Sequence, residues 1–242
     1  MTGMSTATAP IPWSPTLEAT TESASATHVG RVRTRNEDAV LVTPRLLAVA
    51  DGMGGASAGD AASRLTVETL RAISSLGRPA DALPGAVTAA NAAVHALSSE
   101  NPELEGMGTT VTAAALGEGK LTVAHVGDSR LYRLRGSNLE RLTRDHTVAD
   151  SFPGLADAYA NVLTRAVGPR AEVEADVDVH TVRPGDRYLL CSDGLVKHVA
   201  DAEIAGAMLA DRPLAEVAAG LVDVVLARGA HDNVSVVLFS VQ

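Results

Sequence analysis

The sequence predicts an α+β fold in four layers: two mainly antiparallel sheets packed face to face, each covered on its outer side by a helix pair. Three observations lead there. Short β-rich apolar runs follow one another in blocks, unlike the regular alternation of a doubly wound sheet. Two pairs of segments with helical apolar spacing interrupt those blocks. Each helix carries one apolar stripe, and helices outside a pair of facing sheets bury every such stripe. The 242 residues are 46% hydrophobic but 2% aromatic, so Ala, Val and Leu must fill the core.

Residues 1–24 are mostly Thr, Ala, Ser and Pro without periodicity, and are expected to form a disordered leader. Residues 25–242 are then one domain, large enough for a buried core. Trp13, between Pro12 and Pro15, is read as a stray tail aromatic. VGRVR reads as the first strand, with Arg31, Arg33 and Arg35 on one face at period two. AVLVT and LLAVA follow around Pro44 as a meander. Ala62, Leu65, Leu70 and Ile73 recur at helical spacing, as do Leu83, Val87, Ala90, Val94 and Leu97, with Gly77, Pro79 and Pro84 separating the two helices. TTVTAAAL, KLTVAHVG and RLYRLR are short strands broken by glycines. EVEADVDVHTV alternates over its length and places Val173, Ala175, Val177 and Val179 on one face. After RYLLCSD come helices from about Asp201 to Ala210 and from Leu214 to a stop at Gly229, and NVSVVLFSV is the last strand.

A net charge of -9 argues against nucleic acid as a partner. Cys191 is the only cysteine, so no intrachain disulfide forms and a reducing compartment is expected. No apolar run approaches the ~18 residues of a membrane span, and no secretory signal opens the chain. A cytoplasmic monomer without membrane contact is the expectation.

The chemistry is written in acids. LLAVADG and YLLCSDG are apolar strands that stop on Asp51-Gly52 and Asp193-Gly194. Asn36-Glu37-Asp38, Asp128 in VGDSR and Asp232-Asn233 are three further acidic sites. Taken singly each is an ordinary turn or loop end. Together, four of the five adjoin core strands at their ends, which gathers carboxylates from distant segments. Such groups repel one another unless they hold divalent cations. A paired Mg2+ or Mn2+ centre aims an acidified water at phosphorus, and one of the three arginines is a candidate phosphate clamp. The glycines of Asp51-Gly-Met-Gly-Gly are read as room for a metal-bound carbonyl and for close strand–helix contact.

These residues resemble the metal-dependent protein phosphatases of type 2C in their bacterial form. The matching motifs, in order, are RTRNED (33–38), ADGMGG (50–55), GMGTT (106–110), VGDSR (126–130), LTRDH (142–146), NVLTRAVG (161–168), CSDGL (191–195) and HDNVSV (231–236). The resemblance covers His28 to the end and implies an α-β-β-α sandwich. It also implies that Asp51 bridges two Mn2+ or Mg2+ ions, with the Gly52 carbonyl on the second and Asp193 and Asp232 on the first. Glu37 and Asp38 would hold metal-bound waters, Arg33 the substrate phosphate, and Asp128 with Asp193 a weaker third ion. The implied activity is hydrolysis of phosphoserine and phosphothreonine by a metal-bridging hydroxide, acting on phosphoproteins and opposing Ser/Thr kinases. Three departures stand out: Met53 where eukaryotic relatives place a histidine, His28 where bacterial relatives often carry Asp, and a short flap between about 146 and 161.

Three other readings compete. An aspartyl nucleophile at Asp51 lacks the expected second Asp, Met53 standing in its place, and a cysteine nucleophile at Cys191 has Lys197 where a phosphate loop needs Arg. A phosphoprotein-binding scaffold with little turnover is the non-enzymatic alternative, opposed by the intact acids.

Overall fold

The computed structural model describes residues 21–54, 58–152, 159 and 162–242. Its strands in chain order are β1 (Thr21–His28), β2 (Asp38–Val42), β3 (Leu46–Met53), β4 (Gly108–Thr109), β5 (Val111–Gly117) and β6 (Lys120–Val126). They continue with β7 (Arg130–Arg135), β8 (Asn138–Arg141), β9 (Asp176–Thr181), β10 (Arg187–Cys191) and β11 (Val234–Val241). The helices are α1 (Ala58–Ile73), α2 (Pro79–Glu100), the short α3 (Val148–Ser151) and α4 (Asp193–Val196), then α5 (Asp201–Leu209) and α6 (Leu214–Ala227).

One sheet has the order β1-β11-β10-β7-β8 and the other β2-β3-β5-β6-β9, with β4 pairing off β3. Every pairing within them is antiparallel. The period of two sends alternate residues to opposite faces, so three apolar layers result. Leu47, Val49, Leu121, Leu190, Val237 and Phe239 meet between the sheets, where Tyr188 and Phe239 stack at 4.7 Å. Leu46, Ala48 and Ala113 face outward onto Leu70, Val87 and Val94 of α1 and α2. Leu189, Val236 and Leu238 face α5 and α6 through Ile204, Leu221 and Val225. Each fully buried Leu or Phe contributes roughly 1.5–3 kcal/mol. Ala and Val dominate the strands, as expected of a chain poor in aromatics.

Four expectations need correction. The expected leader runs to residue 24, but Thr21 already pairs with Val241, because β11 offers a free ladder edge to the segment that precedes His28. VGRVR is not a strand: Gly30 adopts φ +84°, Arg31 N–H donates to the Ala230 carbonyl, and the three arginines lie in a loop with Val32 exposed. In EVEADVDVHTV only residues 176–181 form a strand, at the edge of its sheet, and Val177 and Val179 are exposed. Val173 and Ala175 do pack on the α1–α2 core, while the edge strand extends beyond that cover. Pro84 does not separate the helices but sits inside α2, whose first residue is Pro79. The hairpin strand β8 was not anticipated in the sequence.

Trp13 and residues 153–158, 160 and 161 of the short flap lie outside the described residues. Among the described residues, no helix is long and apolar enough to cross a membrane.

Candidate metal centre

β2 and β3 run with Asp38 opposite Asp51, so one register sets two carboxylates side by side at the end of a sheet. Asp193, just past β10, and Asp232, just before β11, arrive from the facing sheet. Ser192 ties the two sheets together: its hydroxyl donates to Asp38 Oδ2 at 2.8 Å and accepts from Ser235 N–H at 2.9 Å. Asn233 is the second clamp. Its Oδ1 accepts from Glu37 N–H at 2.9 Å, and its Nδ2 donates to the Val29 and Arg35 carbonyls at 2.9 and 2.8 Å. The arginine loop is thereby held over the acids, with Arg33 Nε 3.0 Å from Asp232 Oδ1.

Asp51 is positioned through its backbone. Its N–H donates to Thr110 Oγ1 at 3.0 Å, and its carbonyl accepts from Thr109 Oγ1 and Thr110 N–H, both at 2.9 Å. Thr110 Oγ1 in turn lies 2.6 Å from Ser129 Oγ, next to Asp128. Gly52 N–H donates to the Glu37 carbonyl at 3.1 Å. A Cβ on Gly52 would meet the Gly59 carbonyl oxygen at 2.2 Å, so only glycine lets strand β3 approach the start of α1 this closely. Gly194 is equally constrained, with the Asn233 carbonyl oxygen 1.9 Å from where a Cβ would stand.

The electrostatics follow from this crowding. Burial, then the charges of Asp38, Asp193, Asp128 and Asp232, hold the Asp51 carboxyl well above the usual range. Asp38 is pushed up to about 6, first by burial and then by Asp193 and Asp232, against hydrogen bonds from Ser235 and Ser192. Asp128 rises to about 7 through burial, Asp193 and Asp145, with Lys197 opposing. Glu37 is raised by burial against the pull of Arg33. Carboxylates this unfavourable to ionise together need a cation to remain charged.

Among the described residues, no three Asp, Glu, His or Cys side chains close on a single point as a finished cage. Asp193 and Asp232 are instead drawn onto Lys197 and Arg33. The donor set still fits hard divalent ions. It is all oxygen, and Asp38 Oδ1 and Asp193 Oδ1 are buried without a hydrogen-bond partner. Mg2+ and Mn2+ keep several waters, so few direct carboxylates per ion suffice.

Glu37, Asp38, Asp51, Gly52, Asp128, Asp193, Asp232 and Arg33 are thus brought to one end of the sandwich by separate segments. The close strand–helix contact expected of the Asp51-Gly-Met-Gly-Gly glycines is present at Gly52. Arg31 points elsewhere, its Nε donating to the Leu226 carbonyl at 2.8 Å. His146 is structural: it is buried, its Nδ1 accepts from Gly127 N–H at 3.1 Å, and its Nε2 lies 3.0 Å from Asp176 Oδ2. Cys191 is wholly buried and its thiol is pushed up to about 12, which removes it as a nucleophile. Sequence reasoning gave no role to Thr110, Ser129, Ser192 or Asn233. Each falls in or beside a quoted motif, but nothing in a hydroxyl or amide alone says which backbone it will hold. Lys197 was weighed only against a phosphate loop, although its place four residues after Asp193 is a signal for an ion pair.

A family model described as Protein phosphatase 2C matches residues 27–232. The chain belongs to the protein phosphatase 2C family. Serine/threonine protein phosphatase PstP of Mycobacterium tuberculosis is 40% identical over 224 residues, which cover 88% of this chain but 43% of that protein. The chain therefore spans less than half the length of that relative. Serine/threonine phosphatase stp of Listeria monocytogenes is 33% identical over 233 residues, covering 86% of this chain and 91% of that one. Among solved members of the 2C family, the catalytic domain of PstP in complex with two manganese ions superposes with a TM-score of 0.85. It is 39% identical and covers 91% of this chain and 98% of that one.

Proposed function

We propose that this chain is a metal-dependent protein phosphatase that hydrolyses phosphoserine and phosphothreonine in proteins. The observation that carries the reading is the convergence of five aspartates and Glu37, from both sheets, beneath Arg33 at one end of the sandwich. The names of its relatives and the two manganese ions of the PstP domain support it. Asp51 would bridge the ions, with the Gly52 carbonyl on one and Asp193 and Asp232 on the other. Glu37 and Asp38 would hold their waters, and Asp128 with Asp193 a third, weaker position. When bound, Mn2+ or Mg2+ supplies a water of lowered pKa and neutralises phosphate charge.

The chain's own residues do the rest. Arg33, half-exposed beside Asp232, offers a planar fork to two phosphate oxygens. Thr109 and Thr110 fix the Asp51 backbone and Ser192 fixes the Asp38 carboxylate before substrate arrives, so little reorganisation accompanies the reaction. Attack on phosphorus in one step needs no phosphoenzyme, consistent with a buried, inert Cys191. The catalytic unit is a single domain that begins with β1, and its substrates are the products of Ser/Thr kinases.

A phosphopeptide panel with and without Mn2+ tests this. Hydrolysis should vanish in EDTA and return with Mn2+, and Asp193→Asn should be inactive in both. Turnover that survives chelation and this substitution overturns the proposal.

A further inference from the structure

Lys197 stands four residues after Asp193, and its ammonium lies 2.5 Å from Asp193 Oδ2 and 3.3 Å from Asp232 Oδ2. The position is built in. Lys197 N–H donates to the Asp193 carbonyl at 3.0 Å, and an acid four residues before a lysine is the favourable order on a helical turn. One cation therefore contacts two carboxylates from two segments. Asp232 has a second cation, Arg33, on its other oxygen at 3.0 Å. Asp38 and Asp51 differ: Asp38 Oδ2 accepts from the Ser192 hydroxyl, and Asp51 is held through its backbone by Thr109 and Thr110. Asp193 and Asp232 are therefore the acids of this group in contact with a lysine or arginine.

We propose that Lys197 is a resident counter-cation of the centre, competing with divalent ions for Asp193. A divalent ion on that side must displace the ammonium or share carboxylates with it, and like charges at this distance repel strongly. Among the described residues, the lysine and arginine ion pairs of the centre fall on Asp193 and Asp232, not on Asp38 or Asp51. The chain thereby disfavours an additional ion between Asp128 and Asp193 and supplies its own monovalent charge in that place. This inference rests on the metal centre proposed above.

The test is Mn2+ binding to the full chain, counted by electron paramagnetic resonance and calorimetry, with no substrate present. Lys197→Met should bind one Mn2+ more than wild type, or tighten the weakest site by about tenfold or more. Lys197→Arg, which keeps the charge, should follow wild type. In EDTA, Lys197→Met should melt below wild type, because Asp193 and Asp232 lose their counter-charge. Equal stoichiometry and equal affinities in wild type and Lys197→Met overturn the competition while leaving the phosphatase reading intact. A wild type that binds no Mn2+ at all overturns that reading and this inference with it.

Discussion

At Asp51-Gly52 strand β3 runs on through the dipeptide to Met53 and pairs with β4, whereas at Asp193-Gly194 strand β10 has ended and the chain turns into the single turn of α4. Both glycines admit a carbonyl where a Cβ would stand, from Gly59 in one case and Asn233 in the other. The aspartates, however, are supported in opposite ways. Neutral donors and acceptors hold Asp51, and its carboxyl is kept far above the usual range by burial and neighbouring acids. A lysine holds Asp193. One dipeptide thus produces a carboxylate waiting for a cation and another that carries one of its own, and the difference lies in what the following backbone does.

The strongest way to test that contrast is to neutralise each acid. Asp51→Asn and Asp193→Asn should both lower Mn2+-dependent phosphatase activity on the order of a thousandfold, since several kcal/mol of transition-state stabilisation depend on the ions. Their stabilities in EDTA should diverge. Asp51→Asn removes a desolvated, repelled carboxyl and should raise the urea midpoint. Asp193→Asn takes the nearer of two carboxylates from Lys197 and should lower it. Midpoints that move in the same direction would show the two steps to be equivalent.

Next in size are the glycines. Gly194→Ala and Gly52→Ala each force a methyl onto a backbone carbonyl and should cost ~1–3 kcal/mol or more in denaturant unfolding. Gly85→Ala, in α2 with nothing within 4 Å of its added methyl, should instead gain roughly 0.5–1 kcal/mol. A mild effect at Gly52 alone would mean that β3 and α1 can separate, and that the two steps differ in rigidity as well as charge.

The pH dependence of Asp128 is a smaller effect. Its carboxyl is raised to about 7 in the fold, against roughly 4 in an unfolded chain. Between those values the folded state binds a proton that the unfolded state lacks, so its stability falls as pH rises through about 7. Asp128→Asn should remove that loss. In EDTA it should be more stable than wild type at pH 8, on the order of 2 kcal/mol, and equal to it near pH 4. A difference that does not change with pH would leave Asp128 outside the electrostatic cluster. A small loss is expected at Thr110→Val, which deprives Asp51 N–H of its acceptor at a cost of about 1 kcal/mol. Thr110→Ser should restore it.

Much of this was legible in the chain because apolar period and glycine placement are local. The runs that became β3, β5, β6, β7, β10 and β11 are too short and too β-rich for helices, and the α1, α2, α5 and α6 stripes have no other period. Legibility failed at edges. EVEADVDVHTV alternates as a half-buried strand should, yet Val177 and Val179 face solvent, because burial of a strand face depends on whether a helix reaches that far. VGRVR has strand composition, but Gly30 and its fit against the Ala230 and Asp232 carbonyls turn the backbone out of the ladder. Thr21 to Ala24 look like leader and become strand because β11 has a free edge beside them.

The acids themselves were marked by their position at strand ends, and that much the sequence determined alone: which carboxylates, in what order, and next to which glycines. Their charge state and their partners were decided only by tertiary structure. Whether an aspartate meets a hydroxyl, an ammonium or another aspartate depends on distant segments, 154 positions away in the case of Ser192 and Asp38. Desolvation and Coulomb terms act through space, so no local pattern encodes them.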